Sequence, residues 1–89
     1  MRAVITVIGK DKVGIIAAIS SVLASAYVNI LDINQTILQD IFSMVMLVDI
    51  SQMKTNFNDL TQKLQEVGKN LGLSVMVQHE DIFNSMHRI

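Results

Sequence analysis

The stretch Ala3-Val4-Ile5-Thr6-Val7-Ile8-Gly9-Lys10-Asp11-Lys12-Val13-Gly14-Ile15 decides how this chain is read. It is apolar through Ile8, breaks over residues 9–14, and resumes with apolar positions at helical spacing. A strand therefore hands the chain through a glycine-containing loop to the start of a helix. The first turn of a helix carries backbone N–H groups without intrahelical partners and a partial positive charge, so a carboxylate or phosphate can be held there with few side chains. Further on, Val28-Asn29-Ile30-Leu31-Asp32 sets two short polar side chains at the opening of a second apolar segment. The two stretches together predict a module that binds a small molecule.

Working outward, residues 2–8 are apolar on both alternating faces except at Thr6, the pattern of a central strand. From Val13 to Ala26, the residues Ile15, Ile19, Val22, Leu23 and Ala26 form one stripe, which predicts an amphipathic helix laid on a sheet. Asp11 stands just before it, where a carboxylate can cap N–H groups or favour the helix dipole. Residues 30–38 set Leu31, Ile33, Gln35 and Ile37 against Asp32, Asn34 and Thr36, as an edge strand does. Residues 42–50 are apolar on both faces again. The short connection around Gln39-Asp40-Ile41 implies a hairpin, without the usual Asn-Gly or Asp-Gly turn.

The period of Phe57, Leu60, Leu64, Val67 and Leu71 predicts a second helix. Thr55 or Asn56 suits its N-cap, Asp59 stands where a reciprocal capping carboxylate would, and Gly72 suits the left-handed residue after the last turn. Residues 73–80 alternate as a second edge strand. Ile82, Met86 and Ile89 fall at helical spacing and predict a short amphipathic tail over residues 81–89, beyond a domain of residues 1–80. With right-handed crossovers, the order strand, helix, strand, strand, helix, strand is an α+β, ferredoxin-like βαββαβ fold: a four-stranded antiparallel sheet with two helices on one face. Its first and third strands are expected at the centre.

Composition narrows what such a fold does here. The chain has 89 residues, room for one domain, and 51% of them are hydrophobic. Its mean hydropathy is +0.44, high for so small a domain, so some apolar surface is expected to face another subunit. A formal net charge of -1 with scattered Lys and Arg leaves no footprint for nucleic acid. Zero cysteines remove disulfides, thiolate metal sites and a cysteine nucleophile. The N-terminal apolar stretch is too short for a signal peptide, and no segment approaches the roughly 20 apolar residues of a spanning helix, so no membrane partner is expected and the default location is the cytoplasm.

The fold alone does not give function. The first strand lacks the aromatics on which an RNA-recognition module stacks bases, and the third has only Phe42 at its beginning. His79-Glu80-Asp81 and His87 resemble a ligand cluster superficially, but their spacing is not that of a helical zinc pair; a polar strand end and a solvated tail explain them. Tyr27 reads as a helix-end packing residue rather than a catalyst. No catalytic residue, metal site or cofactor is assigned, and the methionines read as adaptable core or interface filler.

Asp11-Lys12-Val13-Gly14-Ile15 after a first strand, followed by Asn29-Ile30 opening the second, resembles the ACT domain, a regulatory module that binds amino acids. The resemblance spans residues 2 to about 80 and is similar in its overall look to the small single-ACT proteins related to regulators of glycine cleavage. It implies that the loop Asp11, Lys12, Val13, Gly14 and Ile15 contacts ligand, with Gly14 allowing close backbone approach. It further implies that Asn29 and Ile30 complete the site from a neighbouring subunit. In that arrangement the helix N-terminus takes the α-carboxylate, and Asn29 or Asp32 supplies an oxygen to the ammonium group. One departure is Val13, where many ACT domains carry proline.

The expectation is a non-enzymatic regulatory domain that binds an amino acid or similar small carboxylate at a homo-oligomer interface, a dimer at least, and passes occupancy to a regulatory protein partner. The rival readings are an adaptor without a ligand and a small enzyme. Plainer roles exist for the same residues: Gly14 for close helix-on-sheet packing, Asn29 for a turn, Asp32 as a solvated edge side chain.

Overall fold

In a computed structural model, residues 1–10 and 14–86 are described. The elements run β1 (Arg2–Gly9), α1 (Ile15–Ser25), β2 (Asn29–Leu38), β3 (Ile41–Asp49), α2 (Phe57–Leu71), β4 (Ser74–His79) and α3 (Glu80–Met86). The four strands form one antiparallel sheet in the order β2-β3-β1-β4, with β1 and β3 central as their two-sided apolar sequences require. The molecule measures 35 × 35 × 19 Å, a sheet and one helical layer deep.

Register fixes which side chains meet. Ala3, Ile5 and Val7 of β1 pair with Val48, Met46 and Met44 of β3, and all six are fully buried beneath the helices. Ile15, Ile19 and Leu23 from α1 and Leu60 and Leu64 from α2 close the core from above. The alternate residues of β1, Val4 and Thr6 among them, face away from the helices.

Both long helices end in the same backbone motif. After α2, the Leu73 N–H donates to the Gly68 carbonyl (2.7 Å) and the Gly72 N–H to the Lys69 carbonyl (3.3 Å), with Gly72 left-handed at φ 71°. After α1, the Val28 N–H donates to Leu23 (2.9 Å) and the Tyr27 N–H to Ala24 (3.2 Å), and here the left-handed residue is Tyr27, at φ 61°. The start of α2 is capped by Asn56, whose side-chain oxygen accepts from the Asp59 N–H (2.8 Å). Such a cap is worth about 1 kcal/mol. The Asp59 carboxylate accepts in turn from the Thr55 hydroxyl (3.4 Å).

Two details depart from the simple alternating pattern. The pairing of β2 with β3 slips between Ile30 and Asp32, so Leu31 is an extra residue, a β-bulge. Beyond it Ile33, Gln35 and Ile37 lie on the helix side, paired with Met46, Met44 and Phe42, while Asp32, Asn34 and Thr36 lie on the other. The hairpin closes in a two-residue turn, Gln39-Asp40, with Gln39 left-handed at φ 56° in place of a glycine.

Candidate ligand-binding site

Gly14 is the N-cap of α1, at φ 76° and ψ -3°. This is the left-handed region that glycine enters without steric cost. Beyond its chain neighbours, a Cβ built there would meet no atom of the described residues within 4 Å, so the glycine serves the backbone turn and not a close approach of helix to sheet. The plainer role, tight packing, is thereby excluded for Gly14. Asp11, Lys12 and Val13 lie outside the described residues, and with them the capping role expected of Asp11.

Ile15 follows with its side chain 1% exposed in the core. It can meet a ligand only through its backbone N–H, which has no partner within the helix. The first intrahelical bond runs from the Ala18 N–H to the Gly14 carbonyl, 3.0 Å. The N–H groups of the first turn therefore form the chemical resource of this end of the molecule, and they suit an anion.

Asn29 and Asp32 stand elsewhere. Gly9, which leads into the Gly14 loop, pairs with Phe42, and Phe42 pairs with Ile37 near the end of β2. Asn29 pairs with Asp49, which pairs with Arg2 at the start of β1. Arg2 and Gly9 are seven residues apart on one strand, roughly 23 Å at about 3.3 Å per residue. Within one chain the glycine loop and Asn29 thus occupy opposite ends of the sheet. The Asn29 side chain is exposed and has no hydrogen-bond partner among the described residues.

Ile30 is half-buried against the core. Asp32 uses one carboxylate oxygen to accept from the Ile33 N–H (2.9 Å), directly after the bulge. It ties off the irregular step of its own strand, on the face away from the helices.

The edge position expected of residues 30–38 is observed, and one flank of the molecule is exposed along it. From Leu31 onward β2 is exposed throughout, and its neighbour α1, IIAAISSVLAS, has no charged residue along eleven positions. Ile16 and Ala17 of α1 and Ile33 and Ile37 of β2 are all exposed. The edge strand was legible in its alternation, and the uncharged helix beside it as a lack of Lys and Glu between residues 15 and 25.

At the Asn29 end, where β1 and β4 meet α3, a cleft of about 340 Å³ is lined by Met1, Arg2, His79, Glu80 and Asp81. Arg2 and Glu80 already neutralise one another there through a two-point ion pair of 2.7 and 3.0 Å. His79 stacks on Phe57, ring centroids 4.0 Å apart. Among the described residues no group of three His, Cys, Asp or Glu could hold a metal ion, and no helix is long and apolar enough to cross a membrane.

Asp49 carries the one resolved electrostatic perturbation among the described residues. The Ser51 hydroxyl and then the Ser51 N–H (2.9 Å) hold its carboxyl below the usual value of 3.8, with smaller help from the N-terminal ammonium and Arg2. This belongs to the strand end and stands apart from the glycine loop.

A four-stranded sheet in this order with helices packed on it is a ferredoxin-like fold, and known proteins share it. Residues 2–78 match the ACT domain model, and the chain belongs to the ACT domain family. A UPF0237 protein of Clostridium acetobutylicum is 56% identical over 89 residues, the whole of both chains. The solved ACT domain protein from Streptococcus pneumoniae is 40% identical, with a TM-score of 0.81 over 93% of each chain. A solved candidate glycine cleavage system transcriptional repressor is 26% identical, with a TM-score of 0.75 over 86% of this chain and 44% of its own. ACT domains are typically regulatory, commonly bind amino acids and commonly dimerise; the family points to a regulatory rather than a catalytic domain.

Proposed function

We propose that this chain is an amino-acid sensor whose site is built from two copies, joined side by side along β2 and α1. The observation that carries this reading is the separation of Gly14 from Asn29. Antiparallel pairing of β2 with a second β2 over its full length would set Asn29 opposite the partner's Leu38. Leu38 stands beside Ile37, Phe42 and Gly9, at the glycine-loop end of the sheet. One two-fold operation therefore joins residues that a single chain holds roughly 23 Å apart.

The chemistry divides accordingly. The first turn of α1 after Gly14 takes the α-carboxylate, with Asp11, Lys12 and Val13 completing the loop. The partner's Asn29 offers its amide oxygen to the ammonium group. Ile15 and Ile30 hold the two backbones in place from the core, and Asp32 fixes the bulge that aims the start of β2. The exposed flank supports this contact, because an edge strand that carries exposed Leu31, Ile33 and Ile37 beside an uncharged helix gains by being covered. Occupancy would stiffen the dimer and so present a changed surface to a regulatory protein partner.

A thermal-shift screen against the twenty common amino acids tests the reading. A ligand at about a hundred times its Kd stabilises by roughly 2.7 kcal/mol, and each kcal/mol moves Tm by about 4–8 °C in a domain near this size. One or a few amino acids should raise Tm by ten degrees or more. No response to any of them would favour the adaptor reading.

A further inference from the structure

We infer that Tyr27 is a specificity-determining residue, contributed by each copy to its partner's amino-acid site; the inference rests on the side-by-side arrangement proposed above. Tyr27 occupies the left-handed position after α1, φ 61°. For a residue with a Cβ that conformation costs roughly 1–2 kcal/mol, and glycine fills the same position after α2. The strain is not offset by burial: Tyr27 is 61% exposed. Its ring is nevertheless held. The Lys54 ammonium lies 5.2 Å over the ring centroid, and the Lys54 N–H donates to the Ala26 carbonyl at 2.9 Å, tying the two loops together.

Its one intrachain ring contact is with Lys54, so a strained, oriented and exposed aromatic here points to a use beyond the fold. Its place says where. Tyr27 precedes Asn29 by two residues, and the pairing that sets Asn29 opposite the partner's Leu38 carries Tyr27 toward the partner's hairpin turn, beside the glycine-loop end. One face of the ring is taken by Lys54. Much of the remaining side-chain surface is exposed and can close over a bound α-amino acid, against its ammonium or its side chain. Lys54 has no carboxylate partner among the described residues, so its charge remains with the ring.

The variants Tyr27→Gly and Tyr27→Phe test this, using the amino acid that gives the largest shift with the parent chain. Tyr27→Gly should raise the unliganded Tm while weakening that amino acid by about 3- to 30-fold, the range for one ring contact with a cation. Tyr27→Phe should bind within about twofold of the parent. A purely structural role would move stability and affinity in the same direction.

Mixing subunits separates this from the parent reading. In a mixed dimer of Tyr27→Gly with Gly14→Val, one site combines an intact loop with an intact Tyr27, so parental affinity should return at one site per dimer. If Tyr27→Gly binds as tightly as the parent, Tyr27 is not in the site and only this inference fails. If the parent chain binds none of the twenty amino acids, the underlying reading fails with it.

Discussion

Gly68 lies so close under Val75 that a Cβ on it would stand 2.5 Å from Val75 Cγ2 and 3.3 Å from the Leu73 carbonyl oxygen. This contact seats α2 on β4. In an exposed helix alanine would stabilise over glycine by roughly 0.5–1 kcal/mol, but overpacking costs about 1–3 kcal/mol, and Val75 is stiff at χ1. Gly68→Ala should therefore lower Tm by several degrees in a melting experiment. A rise would mean that α2 has room to lift.

The two left-handed glycine-loop explanations also separate by size. Because a Cβ on Gly14 meets nothing within 4 Å, substitutions there should rank by tolerance of positive φ and not by volume. Gly14→Asn should cost less than Gly14→Ala, although asparagine is larger. Gly14→Val should cost most, of the order of 1–2 kcal/mol or more. Chemical denaturation of the three variants gives the order directly. An order of cost that follows volume, alanine least, then asparagine, then valine, would point to a packing role instead.

Gln39 is left-handed without being glycine or asparagine. Gln39→Asn should raise stability by about 0.5 kcal/mol, since the turn geometry is kept and the strain is reduced. A differential scanning calorimetry trace with Tm up by a few degrees is expected. An unchanged or lowered Tm would mean that the Gln39 side chain contributes as much as its backbone costs.

The depressed Asp49 carboxyl links stability to pH. Its folded value lies below the unfolded 3.8, so its contribution is present above that value and is lost as pH falls through the folded value. Asp49→Asn should flatten the acid limb of a stability–pH curve below about pH 4. An unchanged acid limb would show that Ser51 does not hold the charge in solution.

Most of the fold was legible because apolar periodicity is a local signal. Two-sided apolar strands placed β1 and β3 centrally, and Asn56 and Gly72 marked the ends of α2. The bulge at Leu31 was hidden, because Ile30 and Leu31 are both apolar and the alternation reads on either side of the extra residue. The left-handed Tyr27 gave no sign either, as a tyrosine carries no turn preference to read. Of the site, Gly14 was legible as a loop glycine and its φ was not. The distance between Gly14 and Asn29 depends on strand order across the whole sheet, which no short motif encodes. Asp32 read as a candidate ligand group; its hydrogen bond from the Ile33 N–H could not be read, because it meets a local demand created by the unseen bulge.

The central claim is that one amino-acid site needs two chains, and linkage tests it most directly. Binding across the interface must tighten the dimer by the same free energy that dimerisation lends to binding. Sedimentation equilibrium should be run with and without the amino acid found by thermal shift. With two sites per dimer, each at about a hundred times its Kd, the dimer dissociation constant should fall by about 10⁴-fold. A dissociation constant that stays fixed while the amino acid binds would place the whole site within one chain and contradict the account.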